Sequence, residues 1–557
     1  MPKVRSRLPV AVLALLLVAL SLDLNTNAQR SAIDTYAITN ARLVTVSGPV
    51  IERGTVVIRN GLIAAAGADV HAPPDARVID GTGLTVYPGL IDSYTDLGLP
   101  EPSPSPSPAT GLAAFLPLPS PSPRGGPNST QPAGLQPEVM VEDVIRTGGT
   151  EIESWRSIGI TTALTTPRTG IWMGQSALIN LSGETPQQMI VRSPVAMHVG
   201  FTPLRGIYPG SLLGVFSTLR QMMLDAQRYR DSMAIYERNP RGTRRPDTDR
   251  SLAALIPVVD GRMPVVMLVN TEREITRALD LASEFKLRLI IAGGREADRV
   301  AERLAKQNVP VLLSLNLPKR TTPAMAEADP EPMRVLRERV EAQQTAGKLV
   351  KAGVRFGFQS GSLTDIADLM GNARRVIENG LSAADAVRAF TIWPAQILGV
   401  ESQLGSIEAG KIANLTVTRG DLFTHDTRVA HVFIDGRPVD LRPPTGGPSR
   451  NVLSGMWSVT VNLGQSDRSI SLNLRQEGDR LTGSISGPLG AGEISNASVT
   501  SAGEVRFTVA LNVEGLTSEA TFAGTLANNE IRGTVTIVGS SPGTFTATRS
   551  EPRMNPD

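Results

Sequence analysis

The chain of 557 residues contains no cysteine, only four histidines and little net charge. The absence of cysteine excludes disulfides, thiolate-bound zinc or iron, a cysteine nucleophile and a lipid-modified amino-terminal cysteine. With 55 Lys plus Arg against 53 Asp plus Glu, the net charge of +2 provides no electrostatic field for gripping nucleic acid. Hydrophobic residues make up 41%, which in a chain of this length is enough to bury several cores. We therefore expect a globular, multi-domain protein without a nucleic-acid partner.

The amino terminus has the pattern of an export signal. Basic residues at positions 3, 5 and 7 precede an apolar run over residues 8–22, and small residues suited to a cleavage site follow at 26–28. The run is shorter than the roughly 20 residues that a membrane-spanning helix needs. We expect residues 1–28 to be removed as a signal peptide. The mature protein would then have no membrane span and would be periplasmic or extracellular.

Composition and patterning divide the rest of the chain into regions. The predicted boundaries are 29–86 for an amino-terminal β-rich part, 87–400 for an alternating strand and helix region, 100–137 for a Pro/Ser-rich insertion within it, 401–441 for a returning β-rich part, 442–450 for a linker and 451–550 for a carboxyl-terminal domain. Strict alternation of apolar and polar residues in the last region predicts hairpins of an antiparallel sandwich or small barrel.

One stretch of the middle region shows how a strand, a helix and a second strand follow one another. Residues 265–269 are continuously apolar, as in a buried strand, and Thr271-x-x-Glu274 then has the spacing of a helix capping box. The following helix has its apolar residues on one face, and the next predicted strand is at 287–291. Repeated strand and helix units predict parallel strands with right-handed crossovers, in an open doubly wound sheet or a closed barrel.

A motif near the start of this region carries a family resemblance. The segment 86–97 contains Pro88-Gly-Leu-Ile-Asp92, follows an Asn60-Gly-Leu-Ile strand, and is matched late in the chain by Gly405-Ser-Ile-Glu-Ala-Gly-Lys-Ile-Ala-Asn414. Together these segments resemble the amidohydrolase superfamily, and within it the imidazolonepropionase-like members. The resemblance implies an α/β fold: a (β/α)8 TIM-like barrel, a small β-sandwich formed from both flanks and, beyond it, the carboxyl-terminal all-β domain. It also implies hydrolysis of carbon–nitrogen bonds, other than peptide bonds, in small molecules.

The family usually binds zinc or another divalent metal, but its ligand positions are replaced in this chain. Two histidines at positions i and i+2 of the first strand would both point into the barrel lumen, and here those positions are Tyr94 and Asp96. The corresponding ends of later strands read Leu268 and Asn270, then residues 292–294, then Phe358-Gln-Ser-Gly361, where the family's aspartate would fall near Gly361. We therefore expect no metal ligands, no resident cofactor and weak or lost metal-dependent activity.

The remaining polar residues supply only weak catalytic candidates. Asp96 would be an acid or base, Tyr94 a hydrogen-bond donor and Asn270 an orienting group; Asp96 and Asn270 with waters are alternatively suited to a hard cation. For the substrate pocket we expect His198, Leu268, Ser360 and Gly361, with a packed core histidine as the other interpretation of His198. Structural or surface roles are expected for the other histidines, His71, His425 and His431.

Two further patterns are weighed and set aside. Gly539-Ser-Ser-Pro-Gly543 spells a nucleophile motif, but it lies between β runs and is interpreted as a turn. Asp92 and Asp96 do not have the spacing of a glycosidase acid pair, and Asp92 belongs to the scaffold motif. Two functions stay open: an amidohydrolase-like enzyme of non-standard activity, or an exported non-catalytic protein that binds a small molecule or a partner.

Overall fold

A computed structural model describes residues 35–100, 131–132, 134–204, 208–319, 331–361, 363 and 365–441, followed by 453–462, 467–477, 480–487, 490–499, 504–513, 516–527, 530–537 and 543–549. The chain divides into two compact units, Met1–Leu441 and Arg442–Asp557. The signal peptide, most of the Pro/Ser-rich insertion, the linker and the core of the Gly539–Gly543 turn lie outside the described residues. Within the described part, no helix is both long enough and apolar enough to cross a membrane.

The first unit contains eighteen of the strands and all of the helices that are described. Its amino-terminal strands are β1 (Thr35–Leu43), β2 (Ile51–Arg59), β3 (Leu62–Gly67), β4 (Arg77–Asp80) and β5 (Leu84–Pro88). The next strands are β6 (Leu90–Thr95), β7 (Ile160–Thr165), β8 (Trp172–Gln175), β9 (Ala177–Asn180), β10 (Ile190–Arg192), β11 (Met197–Gly200), β12 (Val265–Val269), β13 (Leu289–Gly293), β14 (Val311–Ser314) and β15 (Phe356–Gln359). Its last strands are β16 (Leu415–Arg419), β17 (Arg428–Ile434) and β18 (Arg437–Val439).

Helices occupy the connections between these strands. They are α1 (Thr150–Ser157), α2 (Pro186–Met189), α3 (Leu212–Arg238), α4 (Arg250–Val259), α5 (Glu272–Phe285), α6 (Ala301–Lys306), α7 (Met333–Lys351), α8 (Asp368–Glu378), α9 (Ala383–Phe390) and α10 (Ile392–Ile397), with short 3-10 turns at Val141–Asp143 and Ala297–Val300. The predicted capping box is present at the start of α5. The Thr271 side chain accepts from the Glu274 backbone N–H, and the Glu274 carboxylate accepts in return from the Thr271 backbone N–H at 3.0 Å.

Both flanks of the barrel contribute to one eight-stranded sheet, as the sequence predicts. Its order is β18-β17-β16-β5-β1-β2-β3, with β4 paired to β1. The central strand β5 pairs in parallel with β1 and antiparallel with β16, in a register from Leu84↔Arg419 to Pro88↔Leu415. Apolar residues from both flanks, including Ile38, Val86 and Phe433, share one core. The amino- and carboxyl-terminal parts of the unit are therefore a single folding element.

The barrel is a ring made of two sheets, ordered β10-β9-β7-β6 and β15-β14-β13-β12-β11-β8. At one seam β6 lies beside β15, where the Ser93 hydroxyl donates to the Phe358 carbonyl at 2.7 Å. At the other seam β8 and β9 form a nearly continuous strand, interrupted only by Ser176. Because β9 runs antiparallel to β7 and β8 antiparallel to β11, this strand bridges the two sheets. The ring thus has seven parallel strands and one antiparallel member, a departure from a regular (β/α)8 barrel.

The two faces of the barrel strands belong to different cores. Val265, Met267 and Val269 of β12 pack with residues of α5 in the larger cluster. The alternating residue Val266 packs instead with Ile290 and Leu312 from the neighbouring strands, in the cluster that fills the lumen. Since successive side chains on a strand point to opposite faces, this division identifies which positions face inward. Most of the lumen is apolar.

The second unit is an all-β barrel with its own core. Its strands are β19 (Gly455–Asn462), β20 (Asp467–Glu477), β21 (Arg480–Gly487), β22 (Gly490–Val499), β23 (Glu504–Val513), β24 (Leu516–Ala527), β25 (Glu530–Ile537) and β26 (Gly543–Arg549). Each strand pairs antiparallel with the next, and β26 returns to β19, so the sheet closes. Trp457, Phe507, Phe522 and Phe545 pack inside, with the Phe507 and Phe522 rings stacked at 4.9 Å. Of the two architectures that the alternation allows, this unit adopts the barrel.

Candidate functional site

The first barrel strand is positioned by a motif of close packing and buried hydrogen bonds. A Cβ at Gly89 would lie 2.2 Å from the Thr161 hydroxyl of the adjacent strand, so only glycine permits this approach. The buried carboxylate of Asp92 accepts from the Ser360 backbone N–H at 3.0 Å, from the Ser360 hydroxyl and from the Trp155 indole N–H at 3.1 Å. Burial raises the pKa of Asp92, and these donors oppose that shift. Asp92 therefore joins β6, β15 and α1.

Tyr94 follows in β6, at the first of the two positions where the family would have a histidine. Its ring lies against the imidazole of His198 on β11, with 5.6 Å between ring centroids and 56° between planes. Burial raises the pKa of the Tyr94 hydroxyl; the Thr166 side chain opposes this shift and the charge of Asp96 adds to it. Tyr94 is therefore a neutral, buried aromatic residue that fills the mouth of the lumen.

His198 is almost inaccessible, with 1% of its surface exposed. Burial lowers its pKa from 6.5 to about 3, so the imidazole is neutral at ordinary pH. Neither ring nitrogen has a hydrogen-bond partner among the described residues. His198 is therefore a buried neutral imidazole with an unused donor and an unused acceptor, a combination that native proteins avoid unless a ligand or water meets the need.

Gln359 and Gly361 complete this side of the mouth. The Gln359 amide donates to the Leu312 carbonyl at 3.4 Å, while its Oε1 atom is buried and has no partner in the described part of the chain. A Cβ at Gly361 would lie 2.5 Å from that oxygen and 3.0 Å from Cδ1 of Tyr94, so the Gln359 oxygen, Gly361 and the Tyr94 ring are close neighbours. The Gly361 backbone N–H donates to the Tyr94 carbonyl at 3.1 Å.

Asp96 occupies the second histidine position of the family and points to solvent. Its side chain is 56% exposed and forms an ion pair with Arg168 at 2.5 Å. The Arg168 guanidinium also donates to the Pro100 carbonyl. Arg168 thus neutralises the carboxylate that the sequence offers as an acid, a base or a cation ligand.

The two predicted site residues that end β12 differ in location. Leu268 packs with the lumen cluster and so faces the lumen of the barrel. Asn270 instead lines a separate cavity of about 190 Å³ together with Arg295, Arg299 and Glu338. Its backbone N–H donates to the Glu274 carboxylate at 2.9 Å, which makes it part of the start of α5. In the described residues, no hydrogen bond joins Asn270 to Tyr94 or Asp96.

The structure thus brings together some of the predicted residues and adds others. Tyr94, His198 and Gly361 meet at the mouth, whereas the hydroxyl of Ser360 is directed to Asp92. Gln359 and Arg168 were not among the sequence candidates. The alternation of residues 356–359 could have identified Gln359 as an inward-facing position, but nothing in the sequence around Arg168 indicates its pairing with Asp96.

The donor atoms at the mouth do not fit a divalent metal of the family's kind. Zinc sites in enzymes combine about three imidazole or carboxylate ligands. Here Tyr94 has a single imidazole against its ring and an amide oxygen near Gly361, and the nearby carboxylate is paired with arginine. Over all described residues, no group of three or more His, Asp or Glu side chains is arranged to hold a metal ion.

An irregular barrel joined to a sheet from both of its flanks defines the class of the first unit. It has a TIM-barrel fold, and its residues 267–439 match the model of the amidohydrolase family. The structure resembles the crystal structure of an amidohydrolase from Thermotoga maritima, with a TM-score of 0.61 and 24% sequence identity over 72% of this chain and 99% of that one. The resemblance to the amidohydrolase superfamily is confirmed; the finer likeness to imidazolonepropionases stays a prediction.

Two other similarities are more limited. Over 78 residues the chain is 32% identical to the N-acetylglucosamine-6-phosphate deacetylase of Haemophilus influenzae, a match covering 14% of this chain and 19% of that enzyme. The chain therefore matches about a fifth of the length of this curated relative. A prolidase complexed with N-methylphosphonate-L-proline is 18% identical, covers 73% of this chain and 99% of its own, and superposes with a TM-score of only 0.43. That superposition is too poor to support an argument about function.

Proposed function

We propose that this amidohydrolase-type barrel has lost the metal-dependent hydrolysis of its family and binds a small molecule at the mouth of its lumen. The proposal rests on the contacts of Tyr94 and Asp96, the residues at the two positions where the family has histidines. Tyr94 packs against His198, and Asp96 pairs with Arg168, so both side chains are already engaged. The groups that remain near Tyr94 are neutral: the His198 imidazole and the Gln359 amide.

The unpartnered atoms indicate what kind of ligand would bind. Both ring nitrogens of His198 and the Oε1 atom of Gln359 are buried without partners, and each such group costs about 1–3 kcal/mol when left unsatisfied. A ligand that donates to one of these atoms and accepts from another would remove that cost. The surrounding side chains, such as Leu268 and Ala292, are apolar. The ligand favoured is therefore small and uncharged, with one polar group that both donates and accepts, such as an amide or an alcohol.

A second candidate is residual hydrolysis by a non-standard mechanism. It would use Asp96 as acid or base, Tyr94 as donor and Asn270 to orient the substrate, and it is favoured by the exposure of Asp96 at the barrel mouth. Two contacts weigh against it. Asp96 is already engaged in an ion pair with Arg168, and Asn270 lines another cavity. We therefore rank it below ligand binding.

A zinc titration of the purified, metal-free protein tests the loss of the metal site. Calorimetry is expected to show no binding tighter than about millimolar, because one imidazole and scattered carboxylates supply only a fraction of the free energy of a complete site. One zinc ion bound tightly per chain would contradict the proposal and revive the hydrolase.

A restoration variant tests whether the replaced positions have been identified correctly. Tyr94→His, Asp96→His and Gly361→Asp are combined with Gln359→Ala, since a side chain at 361 would collide with the Gln359 oxygen. Zinc affinity is expected to rise at least about tenfold over the parent protein. The matched control combines Tyr94→Phe, Asp96→Asn and Gly361→Ala with the same Gln359→Ala change, and should bind no better than the parent. No gain in the restored variant would mean that these positions do not converge.

We also propose that the protein acts outside the cytoplasm. The basic and apolar pattern of residues 1–28 supports this proposal. Expression of the full chain in a bacterial host should yield a shortened product, beginning near Gln29, in the periplasm or the medium. An uncleaved chain that stays in the cytoplasm would contradict this location.

A further inference from the structure

A cavity of about 840 Å³ lies where the eight-stranded sheet meets the barrel, away from the lumen. The turn between β2 and β3 contributes Gly61 and Leu62, and the turn between β17 and β18 contributes Asp435. The barrel contributes Arg156 of α1 and Glu184 from the loop after β9. Its volume is in the range of small-molecule sites, which are commonly about 300–1,000 Å³.

The walls of this cavity are held in place by close packing and buried hydrogen bonds. A Cβ at Gly436 would lie 2.7 Å from the Gly61 Cα, so the two hairpin turns meet with no room for a side chain. The Asn180 amide donates to the Asp435 carboxylate at 2.8 Å, and the Asp435 backbone N–H donates to Asn414 at 2.8 Å. The cavity is therefore largely preformed, which reduces the ordering cost of binding a ligand.

Arg156 contributes a cationic side chain to this cavity. It is half-buried, and its Nε donates to the Leu181 carbonyl, leaving four of the five guanidinium N–H donors. No carboxylate of the described residues lies within ion-pair distance of it. Burial lowers the pKa of Arg156, and the more distant Glu153 opposes that shift. A half-buried guanidinium with free donors is stabilised by an anion that accepts two of them.

The remaining groups restrict the charge and shape of that anion. Arg437 at the rim is exposed and interacts electrostatically with Asp435, so it is partly neutralised. Glu184 also lines the cavity, is exposed, and would repel a second negative charge. Leu62 is 43% exposed, and Ile412 and Ile434 line the same cavity, which offers apolar surface beside the guanidinium.

We propose that this cavity binds a small monocarboxylate with a short apolar chain, whose carboxylate pairs with Arg156 while its chain packs against Leu62 and Ile412. A dianion such as a phosphate monoester is disfavoured by Glu184 and Asp435. This proposal is independent of the lumen site, since none of the residues lining the cavity belongs to the barrel mouth.

The experiment is a calorimetric titration of the purified full chain with hexanoate, with the uncharged hexanamide and with hexyl phosphate. Hexanoate is expected to bind at least about tenfold more tightly than either analogue, the effect of one charge-assisted bidentate contact. Arg156→Gln should weaken hexanoate binding by at least the same factor. Glu184→Gln should strengthen it by a few-fold, because it removes a repulsive charge. Arg295→Gln, which removes an arginine from the separate cavity near Asn270, is the matched control and should leave it unchanged.

The opposite results would overturn the proposal. These are the absence of hexanoate binding up to its solubility limit, equal affinity for hexanoate and hexanamide, or equal affinity of the parent and Arg156→Gln. If Arg156→Gln fails to fold, Glu184→Gln decides the matter, since Glu184 is exposed; hexanoate binding that does not tighten in that variant would also overturn the proposal. Unchanged hexanoate affinity in a Tyr94→Phe variant would separate this site from the lumen.

Discussion

At the scale of single residues, the burial of His198 has a clear consequence for how stability depends on pH. The sequence allows two interpretations of His198, as a pocket residue or as a packed histidine. In the structure it is buried like a packed histidine, but its ring nitrogens have no partners among the described residues. Its pKa is lowered by burial to about 3, whereas in the unfolded chain it is near 6.5. Between these values the unfolded state binds a proton that the folded state does not. The stability contribution is therefore complete above pH 6.5 and is lost as the pH falls toward 3.

Replacing His198 should remove this acid sensitivity. In the parent, this one group should lower the free energy of unfolding by about 1.4 kcal/mol for each pH unit below 6.5. His198→Met should show a correspondingly smaller loss between pH 7 and pH 5, measured by urea unfolding at both values. His71→Gln, at an exposed position, is the control and should retain the loss of the parent. An unchanged pH dependence in His198→Met would mean that the imidazole is accessible to protons in the folded protein.

At the scale of secondary-structure elements, local signals were predicted and non-local ones were not. The capping box at Thr271 was found because its spacing is a property of four consecutive residues. The bridging strand formed by β8 and β9 was missed, since all its residues are buried and it therefore shows no alternation. Likewise, alternation in the second unit predicted strands but could not distinguish a sandwich from a closed barrel. The contacts of Tyr94 with His198 and of Asp96 with Arg168 depend on that unpredicted packing.

The capping box gives a prediction for α5. Thr271→Ala removes the oxygen that accepts from the Glu274 backbone N–H, and is expected to cost about 1 kcal/mol of unfolding free energy. Thr271→Ser keeps the acceptor and should cost little. Chemical denaturation of the two variants, followed by far-UV circular dichroism, measures the difference. Equal stability of the alanine and serine variants would show that other groups, such as the Glu296 carboxylate that accepts from Glu272, already suffice at this helix end.

At the scale of the whole molecule, the chain consists of two units with separate cores, which meet in sequence at residues 441 and 442. The hydrophobic pattern of the sequence also changes near this point. The match to the amidohydrolase family lies within the first unit, since it covers residues 267–439. The fold class could be predicted at this scale because hydrophobic periodicity and motifs are both visible along the chain. It could not say which ligand each unit binds, because that depends on where individual side chains meet.

The second unit should fold without the first. A fragment of residues 451–550 is expected to unfold cooperatively and to show a near-UV signal from Trp457, whose indole N–H donates to the Leu453 carbonyl at 2.9 Å. The physical reason is that its sheet closes on itself around an aromatic core. The full chain, with Trp457 replaced by Phe, identifies the part of the signal that comes from this unit. A fragment with no cooperative transition would show that its core is insufficient on its own.

The pairing of β5 with β16 also determines when the first unit can be completed during synthesis. A ribosome makes the chain in order, so β1 to β5 emerge long before Leu415–Arg419 exists to pair with them. Until then β5 has an open edge with apolar residues on it, the kind of surface that associates with other chains. We therefore expect the nascent chain to need protection of this edge until Leu415–Arg419 has been made, and a premature stop before Leu415 to release a product prone to aggregation.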